Sequence, residues 1–481
     1  MIPLSEDFID SLKNIPSVDR AALAAALDTP PSVSIRRNRR KSAVCPDVAT
    51  TDGLTTAPVP WCEEGIYLNP RPVFTLDPML HGGAYYVQDA SSMIYQQVAD
   101  RLCSILAEEG ISEHPLTLDF CAAPGGKTTS LINALPDGST IVANEFVAAR
   151  GKILRENLEK WGYPYVITTG CDSSRYAALP EMFDIIAIDA PCSGEGMMRK
   201  DEDARRQWSK SLVANCASLQ REILSDLVGT LRPGGFLIYS TCTFNTSEDE
   251  ENSLFISEQL GLEPVAIDSL NLSGIEKAGR AVLPGVEGLR FMPHLTQGEG
   301  LYISVFRRPI GCHTEPAPRT PGKKSRNKNR SQTPELTEAM RKELKGWFDP
   351  KIAPRFELSD TMITMLPESA AEVADMLRRY GVKVTGAGLP VAEIKGRMPK
   401  AEVVPDSRLA LNQAMNPTAF PSVPLSKEEA LRFLRRESFP LDGNIPKGYV
   451  IATYEGLPLG IMKNLGNRAN NLFPTAWKIR L

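Results

Sequence analysis

Between about residues 115 and 308 the hydrophobic pattern of the chain is regular. Short, mainly apolar runs at 116–120, 140–144, 165–168, 183–188 and 236–239 are separated by amphipathic stretches at 128–134, 148–160 and around 212–231. Short apolar runs suit strands buried on both faces, and the longer stretches of helical period suit helices. Strand and helix in alternation predict an α/β fold, with a Rossmann-like parallel sheet covered on both sides. Two further runs, 289–292 and 301–306, predict an antiparallel pair at the sheet's edge.

The flanks read differently. Before the sheet, Ser5 can cap a first short helix, and an Ala- and Leu-rich helix over 18–27 stops at Pro30-Pro31. A strand over 32–36, a Thr- and Pro-rich loop over 43–60 and strands at 65–68 and 85–87 follow. His81-Gly82-Gly83 breaks the last two, and Asp89 or Ser91 is expected to cap a helix reaching 106. After the sheet, 309–334 reads as a basic linker. Helices are expected over 335–347, 370–380 and 428–436, then a hairpin over 448–463 and a closing basic, aromatic strand over 476–480. The expected domains are a small α+β N-terminal unit (1–84), the Rossmann-like unit (85–308), the linker (309–334), a first C-terminal α+β unit (335–400) and a β-rich module (401–481).

Composition narrows the class. The 481 residues are 42% hydrophobic and 23% charged, as in ordinary globular proteins. No apolar stretch is long enough to span a bilayer and the N-terminus lacks a signal-peptide pattern, so a cytoplasmic, membrane-free protein is expected, with a monomer as the simplest state. Nine cysteines without a Cys-x-x-Cys, and only four histidines, support neither a disulfide framework nor a metal site. Net charge is −4, yet Arg36-Arg37-Asn38-Arg39-Arg40-Lys41 and the acid-free stretch holding Arg319, Lys323, Lys324, Arg326, Lys328 and Arg330 concentrate positive charge. Both are expected to meet phosphate, with a solvated tail or linker as the competing reading of either.

The candidate chemistry lies where the strands end, the edge at which such sheets bind ligands. Cys121-Ala122-Ala123-Pro124-Gly125-Gly126-Lys127-Thr128 joins the first strand to the first helix, a glycine turn that lets a ligand approach the backbone. A P-loop needs glycine where Cys121 stands, which argues against ATP. Glu145, ending the second strand, suits ribose hydroxyls, and Asp172, after the third, suits an adenine amino group. Together they outline a nucleoside pocket without a pyrophosphate site, better matched to S-adenosylmethionine than to NAD.

Asp189-Ala190-Pro191-Cys192 after the fourth strand puts a thiol where amino-group methyltransferases carry an aromatic ring. A second thiol, Cys242, follows the fifth strand in Ser240-Thr241-Cys242-Thr243. Carbon 5 of cytosine is too electron-poor to attack a sulfonium directly, whereas a thiolate added at carbon 6 makes carbon 5 nucleophilic. Either cysteine could be that nucleophile on chemistry alone, since DNA cytosine methyltransferases use the Pro-Cys thiol. Cys121 and Cys171 are expected only to pack at strand ends.

The stretches 119–127, 189–196 and 240–245 resemble motifs of the RNA cytosine-5 methyltransferases, the Nop2/Sun family. Val59-Pro60-Trp61-Cys62, residues 81–92 and Arg290-Phe291-Met292-Pro293-His294 resemble its bacterial RsmF-like branch. The resemblance implies a class I methyltransferase sheet with S-adenosylmethionine as donor and structured RNA, 16S ribosomal RNA or the small subunit, as partner. It also implies a PUA-like RNA-binding module at the C-terminus. It makes Cys242 the nucleophile and Cys192 the thiol that assists product release. Cys121, Ala122, Ala123, Pro124, Gly125, Gly126, Lys127, Glu145, Asp172 and Asp189 would surround the donor, with Asp189 also serving N3 of the base and Pro191 shaping its loop. Transfer RNA as substrate, or a non-catalytic ribosome-assembly factor, are the alternatives.

Overall fold

A computed structural model describes residues 2–15, 18–44, 54–311, 336–397 and 401–480. The second basic cluster, 319–330, and most of the linker lie outside the described residues.

The N-terminal region begins with helices α1 (Glu6–Ser11) and α2 (Arg20–Leu27), capped by Ser5 and Asp19. Strands β1 (Ser34–Arg37), β2 (Thr55–Val59) and β3 (Cys62–Asn69), helix α3 (Pro78–His81) and β4 (Tyr85–Val87) follow. The strands form an antiparallel sheet in the order β2-β3-β1-β4. The end of the stretch expected as loop is therefore a strand, β2, recruited by pairing with β3 rather than by its own Thr- and Pro-rich sequence.

The basic cluster is not a phosphate-facing patch. Arg36 is fully buried and donates to Gln88 Oε1 (2.8 Å) and the Gly126 carbonyl (3.3 Å). Arg39 pairs with Glu64 and Asp100, Arg40 with Asp137, and Lys41 donates to the carbonyls of Gly82 and Lys160. These charges fasten the N-terminal sheet to the central one. A cation run spaced for solvent reads the same as one whose carboxylates and carbonyls arrive from distant segments.

The central unit comprises α4 (Ile94–Glu108), β5 (Thr117–Asp119), α5 (Gly126–Ala134), β6 (Ile141–Asn144), α6 (Ala148–Trp161), β7 (Val166–Thr169) and β8 (Phe183–Asp189). It continues through α7 (Glu202–Gln207), α8 (Lys210–Val228), β9 (Leu231–Thr241), α9 (Glu250–Glu258), β10 (Glu263–Pro264), β11 (Gly279–Arg280), β12 (Leu289–Phe291) and β13 (Leu301–Arg307). Neither Asp89 nor Ser91 caps α4; a 3-10 turn over Ser91–Met93 leads into it, and Asp89 instead accepts from the Glu299 amide.

Strands β9-β8-β5-β6-β7 are parallel, and β13 and β12 add antiparallel beyond β9. Ile185, Ile186 and Ile188 of β8 are fully buried, each worth about 1.5–3 kcal/mol of apolar burial. Helices α4, α5 and α6 pack on one face and α8 and α9 on the other.

The connection from β7 to β8 carries only a 3-10 turn, Ser173–Arg175, and a C-terminal segment fills the space a crossover helix would occupy. That region starts with α10 (Glu338–Lys345), β14 (Pro354–Ser359), β15 (Met362–Pro367), α11 (Glu368–Arg379) and β16 (Val384–Ala387). Ala370, Ala371, Ala374 and Leu377 of α11 share a core with the central sheet, and β16 pairs antiparallel with β7 as its outermost strand. The central sheet is completed from beyond the linker.

Strands β17 (Leu389–Lys395) and β18 (Glu402–Pro405) finish a second antiparallel sheet, β14-β15-β17-β18. The last module contains β19 (Ser422–Pro424), α12 (Lys427–Leu434), β20 (Gly448–Tyr454), β21 (Leu457–Asn464) and β22 (Ala469–Asn471), with β20-β21 the expected hairpin. The expected closing strand over 476–480 does not form. A 3-10 turn at Thr475–Trp477 tucks Trp477 against Phe473 instead.

Candidate active site

The strand order reverses between β5 and β8, so the loops leaving those two strands diverge and open a crevice. On the β5 side the turn over 121–125 ends at Gly125 with φ +111, a left-handed conformation that glycine adopts freely. No side chain caps α5, which leaves its first amides without a side-chain acceptor. Ala122 and Ala123 are buried and Pro124 is exposed. Asp119, beneath the turn, accepts from Thr128 Oγ1 at 2.6 Å, and burial raises its pKa to about 7.

Glu145 directly follows β6, with its side chain 4% exposed. It accepts from the Val147 amide at 2.8 Å and pairs with Arg150 at 3.3 Å, and Arg150 in turn donates to the Ala123 carbonyl. The two loops expected to face a nucleoside are thus tied together. Asp172 is exposed at the same edge, where its Oδ1 accepts from the amide and hydroxyl of Ser174. Cys121 is held well above the ordinary thiol range, first by burial and then by the Asp189 and Asp119 carboxylates, which suits packing rather than reaction. Cys171 packs at its strand end as expected, and its sulfur accepts from the Lys383 amide of the C-terminal region.

On the other side, β8 and β9 run parallel with Asp189 opposite Ser240. This register delivers both loops to one place, with Cys192 Sγ and Cys242 Sγ 3.1 Å apart as free thiols. The contact with Cys242, followed by burial, raises the Cys192 pKa well above its ordinary value, so Cys192 keeps its own proton. Asp189 stands where the halves of the crevice meet: Oδ1 accepts from Ser240 Oγ (2.9 Å) and Oδ2 from Lys127 Nζ (3.0 Å). Burial pulls Lys127 down but Asp189 outweighs it, and the ammonium remains charged. Tyr95 OH closes the chain on Ser240 at 2.7 Å.

Two buried carboxylates that the motifs did not single out fix the geometry of the thiols. Glu195, on the Cys192 loop, accepts from the Phe244 and Asn245 amides beyond Cys242 and from Trp208 Nε1. Glu248, beyond Cys242, reciprocates by accepting from the amide and hydroxyl of Ser193 and from Gln220. Asn245 donates to both, at 3.0 and 2.9 Å. Between them Gly196 donates to the Cys242 carbonyl at 2.7 Å, so close that a Cβ there would sit 2.9 Å from that oxygen. Loop-to-loop bonds across some 50 residues leave no periodic trace in a sequence.

A doubly wound sheet with its crevice at the switch point, and no pyrophosphate turn, defines a class I methyltransferase fold. Two solved structures from Pyrococcus horikoshii share it. A methyltransferase homolog is 25% identical with a TM-score of 0.50, covering 63% of this chain and 100% of that one. NSun6, solved with SFG, is 19% identical with a TM-score of 0.52, covering 64% and 98%. Three family models match successive parts: the N-terminal domain of 16S rRNA methyltransferase RsmF (4–90), 16S rRNA methyltransferase RsmB/F (108–307) and the methyltransferase RsmF PUA domain (420–479). Ribosomal RNA small subunit methyltransferase F of Enterobacter sp. (strain 638) is 34% identical, covering 94% of this chain and 91% of that protein. Its namesake in Citrobacter koseri is 32% identical with the same coverage. The chain belongs to the RsmF family of 16S rRNA methyltransferases.

Proposed function

We propose that this protein methylates carbon 5 of a cytidine in 16S ribosomal RNA, with S-adenosylmethionine as donor, through a covalent bond between Cys242 and the base. The observation that carries the reading is the pair of free thiols 3.1 Å apart beside Asp189. The donor residues fit the cofactor: Gly125 leaves its turn open, the α5 amides are uncapped and the Glu145 carboxylate stands at the end of β6. When bound, the donor supplies an electrophilic methyl group on a sulfonium. Cys121 through Lys127, Glu145 and Asp172 would hold it.

The chain's own residues divide the rest. Cys242 Sγ forms a bond to carbon 6 while N3 takes a proton, with Asp189 positioned to hold the N3 edge. Carbon 5 becomes nucleophilic and takes the methyl group as the methyl–sulfur bond of the donor breaks, leaving a neutral thioether. A base then takes the carbon 5 proton, the Cys242–carbon 6 bond breaks to release the thiolate, and N3 gives up its added proton as the aromatic ring is restored. Cys192, protonated and in contact with the Cys242 sulfur, supports the thiolate before attack and assists its departure afterwards. The target base must be unstacked to reach the thiols, at a cost of about a few kcal/mol.

The test is adduct trapping with 16S rRNA and donor, analysed by denaturing gel. Cys192→Ala should accumulate a covalent protein–RNA species, and Cys242→Ala should form none and transfer no methyl group. An adduct from Cys242→Ala and none from Cys192→Ala would reverse the roles. Bisulfite sequencing of ribosomal and transfer RNA from a deletion strain checks the substrate, with one 16S cytidine expected to lose protection.

A further inference from the structure

Between the N-terminal sheet and the loop after β12 runs an open groove of about 630 Å³. Pro31, Pro70 and Arg71 form one wall, His294 and Leu295 the other, and Arg199 lies in the floor. Tyr67 OH donates to the Gln297 carbonyl at 2.7 Å and holds the walls in register. Among the described residues, no carboxylate lines the groove.

Two features of the lining point to a ligand that is part anion and part flat apolar surface. Arg71 is exposed and forms no ion pair with any described residue; its guanidinium lies 5.2 Å from the Phe74 ring centroid, which steadies one face of it. Opposite, Leu295 is 42% exposed although it is a large apolar side chain. Ser32 Oγ and His294 Nδ1, both on lining residues, have no hydrogen-bond partner among the described residues. Phosphate on an arginine, with a base laid on an apolar or guanidinium face, is how unpaired nucleotides are held.

The groove also has a fixed relation to the thiols. Arg199 in its floor makes a paired contact with Glu299 (2.7 and 2.8 Å). The Glu299 carbonyl abuts Gly196, whose amide donates to the Cys242 carbonyl. One buried ion pair and one glycine therefore separate the groove from the nucleophile's loop.

We infer that this groove is a subsite for a single-stranded nucleotide flanking the target base, with Arg71 on its phosphate and Leu295 and the prolines against its base. The inference rests on the reading that RNA is the substrate. A peptide is disfavoured because the groove adjoins the nucleophile's loop, where substrate RNA must run.

The test uses the full-length protein and a fluorescein-labelled 12-nucleotide single-stranded RNA, followed by anisotropy over a salt series. Arg71→Ala should weaken binding about fivefold at low salt and flatten the slope of log K against log salt by about 0.7, one phosphate's share for a single strand. Leu295→Ser should weaken binding about threefold and leave the slope unchanged. If both variants bind within twofold of wild type with its slope, or if an acidic peptide binds in an Arg71-dependent manner while the RNA does not, the subsite is overturned. Methyl transfer to 16S rRNA by the wild type separates the two readings. Transfer with Arg71-independent binding removes the subsite alone, and Arg71-dependent binding without transfer removes the methylation reading alone.

Discussion

A thiol is a good nucleophile only when ionised, and here the nucleophile's sulfur lies in contact with a second thiol that keeps its own proton and can donate a hydrogen bond to it. The arrangement depends on side chains that never touch substrate. Glu248→Ala removes the acceptor for the Ser193 amide, in a place where a lost buried bond costs about 1–3 kcal/mol. The expected result is a kcat at least tenfold lower with donor affinity unchanged, read by single-turnover methylation beside donor calorimetry. Donor affinity falling in parallel with kcat would mean that Glu248 only maintains the fold.

Asp119 offers a cleaner proton test. Its folded pKa of about 7 lies above its ordinary value of 3.8, so the native state keeps a proton that the unfolded chain has lost. Its contribution to stability is complete below pH 4 and is lost as the pH rises towards 7. Asp119→Asn should match wild type near pH 4 and exceed it at pH 8 by up to roughly 4 kcal/mol, as measured by denaturant melts of the ligand-free protein. At this scale the cysteines, Asp189, Lys127 and Glu145 were legible because each follows an apolar run that stops abruptly. Glu195 and Glu248 were not, since nothing local distinguishes a buried loop carboxylate from a solvated one.

Among elements, the parallel strands and their order of helices follow from the apolar runs alone. The exceptions share a cause. β2 and β16 are strands because a neighbour offers unpaired backbone groups, and Val384-Thr-Gly-Ala387 has little strand character of its own. Likewise the Arg36–Lys41 cluster looks phosphate-facing in sequence because its carboxylate partners come from β3, α4 and the turn after α5. The loops that carry the thiols depend on close backbone approach. Gly196→Ala would press a Cβ against the Cys242 and Glu299 carbonyls at 2.9 and 3.1 Å. We expect a folded protein that binds donor normally but transfers methyl at least tenfold more slowly; normal transfer would show that the loops can separate without penalty.

For the whole molecule, the boundary drawn at the linker separates sequence segments but not cores. β16 belongs to the sheet that holds the site and α11 packs on that sheet's core, and Gly162, at the end of α6, sits so close to the Leu411 carbonyl that a Cβ would lie 1.9 Å from it. A chain ending at residue 311 should melt at least roughly 10 °C below the full protein and aggregate through the bared β7 edge. A truncated protein that is monomeric and equally heat-stable would contradict this. Gly162→Ala should lower the melting temperature of the full chain through the same contact.

Completion of the catalytic sheet by β16 also has a consequence in time. A polypeptide leaves the ribosome N-terminus first, at about 5–20 residues per second. From β13 to the end of β16 is a run of 80 residues, Arg307 to Ala387, so the β7 edge stays bare for roughly 4–16 s of synthesis after the rest of that sheet has been made. During that interval the nascent chain presents an unpaired parallel strand and an uncovered apolar face. It is then most dependent on chaperones, and it becomes a competent enzyme only late in translation.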